Sequence, residues 1–229
     1  MSSQVKFPIS IASVTFDLDG TLLDTVPDLA AAANAMLAEL GEPARTHDEV
    51  RDFVGKGIPT LVRRCLTRDG VTPEAERLEH ATEIFKRHYA YHNGRQSLIY
   101  PGVLECLEKM KAAGFSMGII TNKAAAFTEP LVEMKGLKAY MDVVVSGDTV
   151  AEKKPHPMPM LYACEKMGVE PKYNLHIGDS HNDINSARGA GCAVFCVPYG
   201  YNEGQPVYST DCDALISSLV EACDLVVKR

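Results

Sequence analysis

Along most of the chain, short runs of apolar and often β-branched residues alternate with longer segments in which apolar residues recur every three or four positions. The short runs are typical of buried strands, and the longer segments are typical of amphipathic helices. We expect strands at residues 11–16, 115–120, 142–145, 174–177 and 193–197. We expect helices at residues 28–40, 103–113, 124–134, 158–167, 183–190 and 214–223. Strands and helices that alternate in this way predict a parallel sheet.

A long helical stretch interrupts this alternation. Between residues 46 and 98 the apolar positions follow helical spacing, as Leu61, Val62 and Cys65 do on one face, and no good strand is evident. Because this stretch follows the first strand, the simplest architecture is α/β, with a doubly wound parallel-sheet (Rossmann-like) core and an inserted all-helical cap domain. The predicted core comprises residues 1–24 and 99–229, and the predicted cap comprises residues 25–98.

The composition is that of a globular protein with a substantial core. Of the 229 residues, 46% are apolar and 23% are charged, which is close to the average for such proteins. The net charge of −7 disfavours nonspecific nucleic-acid binding, which needs a basic face. A small anionic substrate is compatible with this charge, because a few local cations suffice to bind it.

The sequence carries no sign of export or membrane insertion. The first ten residues form a short polar arm without the apolar region of a signal peptide, and no segment approaches the roughly 20 apolar residues that span a membrane. The seven cysteines are odd in number and lack a C-x-x-C pair, so we expect reduced, mostly buried thiols. These features predict a cytoplasmic protein without membrane or nucleic-acid partners, and they leave open whether it is a monomer or a homodimer.

Polar side chains follow four of the predicted strands, at the points where the strands end. Open α/β sheets bind ligands at the carboxyl ends of their strands. Four carboxylates, a lysine and several hydroxyl or amide groups are therefore expected to converge at one edge of the sheet. In chain order, the residues that follow the strands are Asp17, Leu18, Asp19, Thr121, Asn122, Lys123, Lys153, Lys154, Asp179 and Asp183.

A cluster of ionised carboxylates predicts a bound cation, because burying such charges is unfavourable unless another charge offsets them. Mg²⁺ prefers oxygen ligands and typically takes one or two carboxylates besides water and phosphate oxygens. We expect Asp17, Asp179 and the backbone carbonyl of Asp19 to be its ligands, although these residue types do not distinguish Mg²⁺ from Mn²⁺. A Ca²⁺ loop of the EF-hand type is excluded, because the residues after Gly20 lack its later oxygen ligands.

These groups suit the hydrolysis of a phosphate monoester. Asp17 would attack phosphorus and give an aspartyl-phosphate, while the cation and Lys154 neutralise the phosphate charge. Asp19 would protonate the leaving oxygen and then deprotonate the attacking water. The groups expected to donate hydrogen bonds to the phosphoryl oxygens are those of Leu18, Thr121 and Asn122. The sequence thus predicts a Mg²⁺-dependent phosphatase that acts on small phosphate monoesters.

Over essentially the whole chain, these motifs resemble those of the haloacid-dehalogenase-like hydrolase superfamily. The segment 17–22, Asp-Leu-Asp-Gly-Thr-Leu, resembles its first motif, in which the first Asp is the nucleophile and the second is the acid and base. Thr121 resembles the second motif, Lys154 the third, and the segment 178–183 the fourth. The resemblance implies that Asp179 contacts Mg²⁺ directly and that Asp183 acts through water or by pairing with the lysine.

Two further features refine this resemblance. The carboxylate of Asp19 excludes the dehalogenase branch, which lacks one at that position, and the Lys-Pro pairing favours Lys154 over Lys153 as the lysine of the third motif. The helical insert resembles the helical cap of the superfamily, which closes over the site. The resemblance therefore implies that residues of the insert read the part of the substrate beyond the phosphate.

The segments 54–59, Val-Gly-Lys-Gly-Ile-Pro, and 154–157, Lys-Pro-His-Pro, resemble those of phosphoglycolate phosphatases. That resemblance implies 2-phosphoglycolate as the substrate, with Lys56 and Arg64 as candidates for binding its carboxylate. The residues of the last cap helix that we expect to pack or to lie at the surface are His88, Tyr89 and His92.

Three other interpretations remain. A sugar-phosphate phosphatase shares the cap and Lys-Pro patterns loosely. A phosphoglucomutase-like enzyme is disfavoured by Gly178, where that branch usually carries an acidic residue. A protein that binds phosphate esters without catalysis is disfavoured because all the motif residues are present.

Overall fold

A six-stranded parallel sheet forms the centre of the fold. The computed structural model describes residues 6–209 and 211–229. In chain order, the strands are β1 (Ile9–Ile11), β2 (Ser13–Phe16), β3 (Leu23–Asp24), β4 (Leu98–Ile99), β5 (Ser116–Ile120), β6 (Val143–Val145), β7 (Asn174–Gly178), β8 (Ala193–Cys196), β9 (Ala214–Leu215) and β10 (Val226–Lys228). The α-helices are α1 (Val26–Glu39), α2 (His47–Phe53), α3 (Ile58–Leu66), α4 (Ala75–His92), α5 (Val103–Ala112), α6 (Ala125–Met134), α7 (Met158–Met167), α8 (His181–Ala190) and α9 (Leu219–Asp224).

The order of the strands in this sheet is β6-β5-β2-β7-β8-β9. The chain enters at β2, proceeds outward to β5 and β6, crosses back to β7, and continues outward to β8 and β9. The sheet is therefore doubly wound, and the winding direction reverses between β2 and β7, which confirms the predicted α/β class. Ligands bind at such a reversal, beyond the carboxyl ends of the strands.

Helices cover both faces of the sheet, yet the two central strands are apolar on one face only. On that face, Val14, Phe16, Leu175 and Ile177 belong to a hydrophobic cluster that also contains residues of α5 and α9. Because side chains alternate along a strand, the other face of the same strands carries the residues between them. Those residues are polar and fully buried, and they are Ser13, Thr15, Asn174 and His176. Central parallel strands are usually apolar throughout, so this polar face needs hydrogen-bond partners.

Helices α1 to α4 pack around a hydrophobic cluster of their own, which includes Leu29, Leu61, Phe85 and Tyr89. Amphipathic helices of this kind are stabilised mainly by burying their apolar faces against one another. The all-helical insert expected from the sequence is therefore present.

The chain leaves the core to form the helical insert and returns to the core beside the point where it left. Strands β3 and β4 pair there as an antiparallel ladder of two residues each. Beside this ladder, the buried carboxylate of Asp28 accepts hydrogen bonds from the backbone N–H groups of Gly94, Gln96 and Ser97, at 2.9, 2.8 and 3.0 Å. The start of α1 and the segment after α4 are thereby tied to each other.

The helix predicted at 214–223 is present only from residue 219, so its predicted start is wrong. Residues 214 and 215 form the edge strand β9, and α9 begins only at Leu219. The reason lies in Ser217, whose backbone N–H and hydroxyl both donate to the Glu221 carboxylate, at 2.8 and 3.0 Å. Bonds of this kind hold a serine outside the helix that it precedes.

Two strand boundaries also differ from the expectation. The strand expected at 11–16 is two strands, because β1 pairs with β10 instead of joining the central sheet. The stretch 46–98 ends in β4, a strand that the sequence did not indicate.

Of the predicted polar arm, residues 1–5 lie outside the described residues. No helix in the described part of the chain is long and apolar enough to cross a membrane.

Candidate active site

A small cavity separates the carboxyl ends of the central strands from the helical insert. Asp17 follows β2, Thr121 follows β5 and Asp179 follows β7, whereas Lys154 comes from the loop between β6 and α7. The cavity has a volume of about 60 Å³ and is lined by all four of these residues. The structure thus brings the four motifs recognised in the sequence to one edge of the sheet.

One carboxylate oxygen of Asp17 is held by two donors. Its Oδ1 accepts hydrogen bonds from the backbone N–H of Leu18 at 2.7 Å and from the Lys154 ammonium at 2.8 Å. The Leu18 side chain is fully buried in the core, so the backbone around Asp17 is fixed by packing. No hydrogen bond to Oδ2 is present among the described residues, which leaves this oxygen for a ligand.

Lys154 is buried and has an acceptor for each of its three N–H donors. Its Nζ lies 2.7 Å from the carbonyl oxygen of Ile120, 2.6 Å from Asp183 Oδ1 and 2.8 Å from Asp17 Oδ1. Burial acts to lower the pKa of Lys154, but the two neighbouring carboxylates outweigh it and raise that pKa above its ordinary value. Lys154 is therefore a permanent cation beside Asp17.

Three carboxylates face one another at the reversal point of the sheet. Each of Asp17, Asp179 and Asp183 places an oxygen within 4.8 Å of the other two. Burial raises the pKa of Asp17 to about 7, against the opposing effect of Lys154. Burial and the two other carboxylates raise the pKa of Asp179 well above its ordinary value. Lys154 alone does not offset this negative charge, so the donor set fits a hard divalent cation.

The three carboxylates differ in how many donors they already have. Asp179 accepts from the Thr21 hydroxyl at 3.2 Å and from the Tyr201 backbone N–H at 2.6 Å. Both oxygens of Asp183 are more fully engaged: Oδ1 by Lys154 and His176, and Oδ2 by the backbone N–H and hydroxyl of Ser180. This arrangement favours Asp17 and Asp179 as metal ligands and Asp183 as a residue that orients them.

Asp19 is bound to two side chains through one oxygen. Its Oδ1 accepts from the Thr25 hydroxyl at 2.6 Å and from Lys123 Nζ at 2.8 Å. Lys123 is itself buried, and its ammonium lies 4.9 Å from the centre of the Tyr89 ring. Sequence reasoning placed Lys123 at a strand end without a role and expected Tyr89 to be a packing or surface residue. Tyr89 is fully buried and also lines the cavity.

The two residues after β5 have different tasks. The Thr121 hydroxyl accepts the Lys123 backbone N–H at 3.2 Å and retains its own proton for donation. The Asn122 side-chain amide donates to the carbonyl oxygens of Gly55 and Lys154, at 3.0 and 2.9 Å. Asn122 therefore links a loop of the helical insert to the loop that carries the buried lysine.

The two cations that were expected to bind a substrate carboxylate are paired with a side chain of the protein. Lys56 lies 2.8 Å and Arg64 lies 2.5 Å from the carboxylate of Glu203. Glu203 comes from the loop after β8 and lines the cavity. Its backbone adopts a left-handed conformation with φ of 53°, which is uncommon for a residue other than glycine. Sequence reasoning did not identify Glu203.

Mg²⁺ is expected to raise the melting temperature, and to do so more at pH 8 than at pH 5. The pKa of Asp17 is raised from 3.8 to about 7, so the metal-free folded protein keeps a proton that the unfolded chain releases. Its free energy of unfolding therefore falls as the pH rises through this window. A Mg²⁺ ion bound at Asp17 would compete with that proton, and a ligand at 100 times its Kd stabilises a protein by about 2.7 kcal/mol. Thermal unfolding in EDTA and in excess Mg²⁺ at both pH values measures the effect.

The matched controls for this experiment are two carboxylates in different places. Asp179→Asn is expected to abolish the Mg²⁺-induced rise, whereas Asp48→Asn, on the exposed first turn of α2, should leave it unchanged. An undiminished rise in the Asp179 variant would contradict its role as a ligand.

Comparison with known proteins agrees with this fold. Residues 14–197 match the family model of the haloacid dehalogenase-like hydrolases. The chain is 49% identical to a phosphoglycolate phosphatase of Nitrosospira multiformis, over 98% of this chain and 99% of the relative. It is 47% identical to the phosphoglycolate phosphatase of Thiobacillus denitrificans, over 97% and 99%. The crystal structure of a predicted phosphoglycolate phosphatase from Haemophilus somnus superimposes with a TM-score of 0.87 at 32% identity, covering 92% of this chain and 96% of that one.

The chain belongs to the haloacid dehalogenase-like hydrolase family. Within that family it is a phosphoric monoester hydrolase of the phosphoglycolate phosphatase-like type. The resemblance inferred from the motifs is thereby confirmed.

Proposed function

We propose that this chain is a Mg²⁺-dependent phosphatase that hydrolyses 2-phosphoglycolate to glycolate and phosphate through an aspartyl-phosphate on Asp17. The observation that carries the proposal is the geometry of Asp17, which has one oxygen fixed by Lys154 and Leu18 and the other free at the cavity. The names of the two similar relatives support the choice of substrate.

Asp17, Asp179 and the backbone carbonyl of Asp19 would hold the metal ion. When bound, Mg²⁺ supplies positive charge that lowers the repulsion between an anionic phosphate and the ionised Asp17. The raised pKa values of Asp17 and Asp179 support this assignment, because they mark negative charge that the protein itself leaves uncompensated.

The reaction follows in two steps from the residues around the cavity. In the first, Oδ2 of Asp17 bonds to phosphorus while the bond from phosphorus to the glycolate oxygen breaks, and Asp19 gives that oxygen a proton. In the second, water attacks phosphorus, its proton passes to Asp19, and the bond to Asp17 breaks. The positive charge of Lys154 and the hydrogen bond from the Thr121 hydroxyl stabilise the phosphoryl oxygens throughout, and losing one such hydrogen-bond donor typically costs about 3 kcal/mol of barrier.

We further propose that residues 25–98 act as a cap domain that selects the substrate. The cavity lies between this segment and the strand ends, and residues of both line it. The carboxylate of phosphoglycolate would displace that of Glu203, which lines the cavity, from Lys56 and Arg64. One carboxylate replaces another in this exchange, so the buried charge does not change.

The phosphoglucomutase-like alternative has less support than the phosphatase. A Cβ atom at Gly178 would lie 2.3 to 2.7 Å from side-chain atoms of Asp183. There is therefore no room at this position for the acidic side chain that the mutase branch usually carries. A sugar-phosphate phosphatase would have the same chemistry at Asp17 and differs only in its substrate.

The subcellular location is also a proposal. All seven cysteines are free thiols, and six of them are buried. Persistent free thiols are typical of a reducing compartment, so we propose that the enzyme acts in the cytoplasm.

A phosphate-release assay with Mg²⁺ tests the function directly. The substrates are 2-phosphoglycolate and a panel of sugar, nucleotide and aryl phosphates. We expect the highest kcat/KM for 2-phosphoglycolate. A profile that favours sugar phosphates would reject 2-phosphoglycolate as the substrate but would agree with the proposed reaction at Asp17. Absence of Mg²⁺-dependent hydrolysis of any ester would reject both the substrate and the reaction.

Replacing Lys56 or Arg64 by Met is expected to raise the KM for 2-phosphoglycolate by about tenfold, because each removes one charge-assisted hydrogen bond. The KM for ethyl phosphate, which has no carboxylate, should change little. Arg63→Met is the matched control, since this neighbouring arginine is exposed. Parallel increases in the KM for both substrates would show that Lys56 and Arg64 do not bind the substrate carboxylate.

A further inference from the structure

A chain of hydrogen bonds crosses the buried polar face of β2 and β7 and ends at Asp183. Ser13 Oγ donates to Asn174 Oδ1 at 2.8 Å, and Asn174 Nδ2 donates to Thr15 Oγ1 at 3.1 Å. Thr15 Oγ1 lies 3.0 Å from His176 Nδ1, and His176 Nε2 lies 3.1 Å from Asp183 Oδ1. All five residues are buried, and His176 is 0% exposed. The chain accounts for the polar face of the central strands.

The direction of these hydrogen bonds follows from the acceptor at the end. An ionised Asp183 can only accept, so His176 Nε2 carries a proton and donates it. Burial lowers the pKa of His176, so the ring is neutral and its Nδ1 accepts from the Thr15 hydroxyl. Every donor therefore points toward Asp183, which fixes the tautomer of the imidazole, and the Thr15 hydroxyl helps to hold the ring in place.

At Asp183 this chain meets the buried lysine of the active site. Asp183 Oδ1 accepts from His176 and, at 2.6 Å, from Lys154. The same ammonium group donates to Asp17 Oδ1 at 2.8 Å. Two carboxylates therefore compete for one cation. A donor from His176 offsets part of the charge on Asp183, so that Lys154 stays shared with Asp17.

We propose that His176 is a positioning residue for the phosphatase reaction: by donating to Asp183, it keeps Lys154 directed at Asp17. The inference rests on the proposed function, since it assumes that Asp17 is the nucleophile. His176 stands outside the four motifs, in the middle of β7, and it acts on the reaction only through Asp183 and Lys154. Without its hydrogen bond, Lys154 would move toward Asp183 and Oδ1 of Asp17 would lose a donor.

Four variants test this proposal through kcat, KM and the melting temperature. His176→Leu removes the donor, whereas His176→Gln retains an N–H group that reaches a similar position. Thr15→Val keeps the shape of Thr15 but removes the hydroxyl that donates to His176 Nδ1. Ser13→Ala removes only the donor farthest from Asp183 and is the matched control. Kinetics are measured with 2-phosphoglycolate and with 4-nitrophenyl phosphate.

We expect His176→Leu to lower kcat by about tenfold or more, as loss of a residue that orients a reacting group typically does, with little change in KM. His176→Gln should recover much of this loss, Thr15→Val should show a smaller loss, and Ser13→Ala should keep the kcat of the wild type. If His176 had only a structural role, its replacement would lower the melting temperature, and the Gln and Leu variants would have the same kcat.

An unchanged kcat in His176→Leu, or equal losses in the Leu and Gln variants, would overturn the proposal. If His176→Leu does not fold, the proposal is tested by comparing Thr15→Val with Ser13→Ala. Equal kcat values in these two variants would overturn the proposal. Should the wild type hydrolyse 4-nitrophenyl phosphate but not 2-phosphoglycolate, the proposed substrate fails while the comparison among the His176 variants remains valid.

Discussion

Replacing Asp17 by Asn is expected to lower turnover by about 10⁴-fold or more, as loss of a nucleophile typically does, while the protein stays folded. The amide can still accept hydrogen bonds from Leu18 and Lys154 through its oxygen, but it is a poor nucleophile toward phosphorus. Because burial raises the pKa of Asp17 to about 7, its charge opposes folding in the absence of metal. The melting temperature of the variant in EDTA at pH 8 should therefore equal or exceed that of the wild type.

Steady-state phosphate release and thermal unfolding measure these two effects. The matched control is Asp48→Asn, which makes the same chemical change at an exposed position. Asp19→Asn provides a contrast, since it should slow turnover and let phosphorylated Asp17 accumulate, which intact mass spectrometry detects as added phosphate. If the Asp17 variant keeps activity within tenfold of the wild type, the assignment of Asp17 as the nucleophile is rejected.

Lys154→Met is expected both to abolish turnover and to destabilise the fold by about 3–5 kcal/mol, the usual effect of removing one partner of a buried ion pair. The side chain of Lys154 is only 2% exposed and neutralises Asp17 and Asp183 together. Methionine fills a similar volume, so the loss of charge rather than a cavity would account for the destabilisation. Chemical denaturation monitored by circular dichroism measures the change in the free energy of unfolding.

The neighbouring residue offers a close control. Lys153 is exposed, and Lys153→Met should change stability by no more than about 0.5 kcal/mol, as is usual for surface substitutions. Equal losses of unfolding free energy in the two variants would mean that charge in this loop, and not the buried position of Lys154, matters for stability.

The sequence predicted the sheet and the convergence of the motifs because both depend on local patterns. A buried strand is a short apolar run, and Asp17, Thr121 and Asp179 each follow one directly. The parallel arrangement then requires their side chains to meet at one edge. No contact between distant residues had to be known for this inference.

Apart from the local bonds between Ser217 and Glu221 that delay the start of α9, the predictions that failed or were missing depended on distant contacts. Glu203 meets Lys56 across 147 positions of the chain, and nothing in the local sequence of either residue indicates the pairing. Lys123 follows a strand as the other motif residues do, yet its burial beside Asp19 becomes visible only with the fold. The helix expected at 214–223 had suitable apolar spacing, but residues 214 and 215 pair with β8 at the edge of the sheet. Tertiary pairing overrides local propensity at such positions.

The junction between the helical insert and the sheet has a consequence for how such enzymes diversify. Because β3 pairs with β4 and Asp28 binds the segment that returns from α4, the insert is a side branch that leaves and rejoins the core at adjacent points. Lengthening or replacing a side branch changes the loop that the core must close, and the entropy of loop closure rises only slowly with length. Strands β2, β5 and β7 pair with other strands of the core. Under the proposed function, substrate range would change by exchange of the branch and catalytic chemistry by substitution at the strand ends.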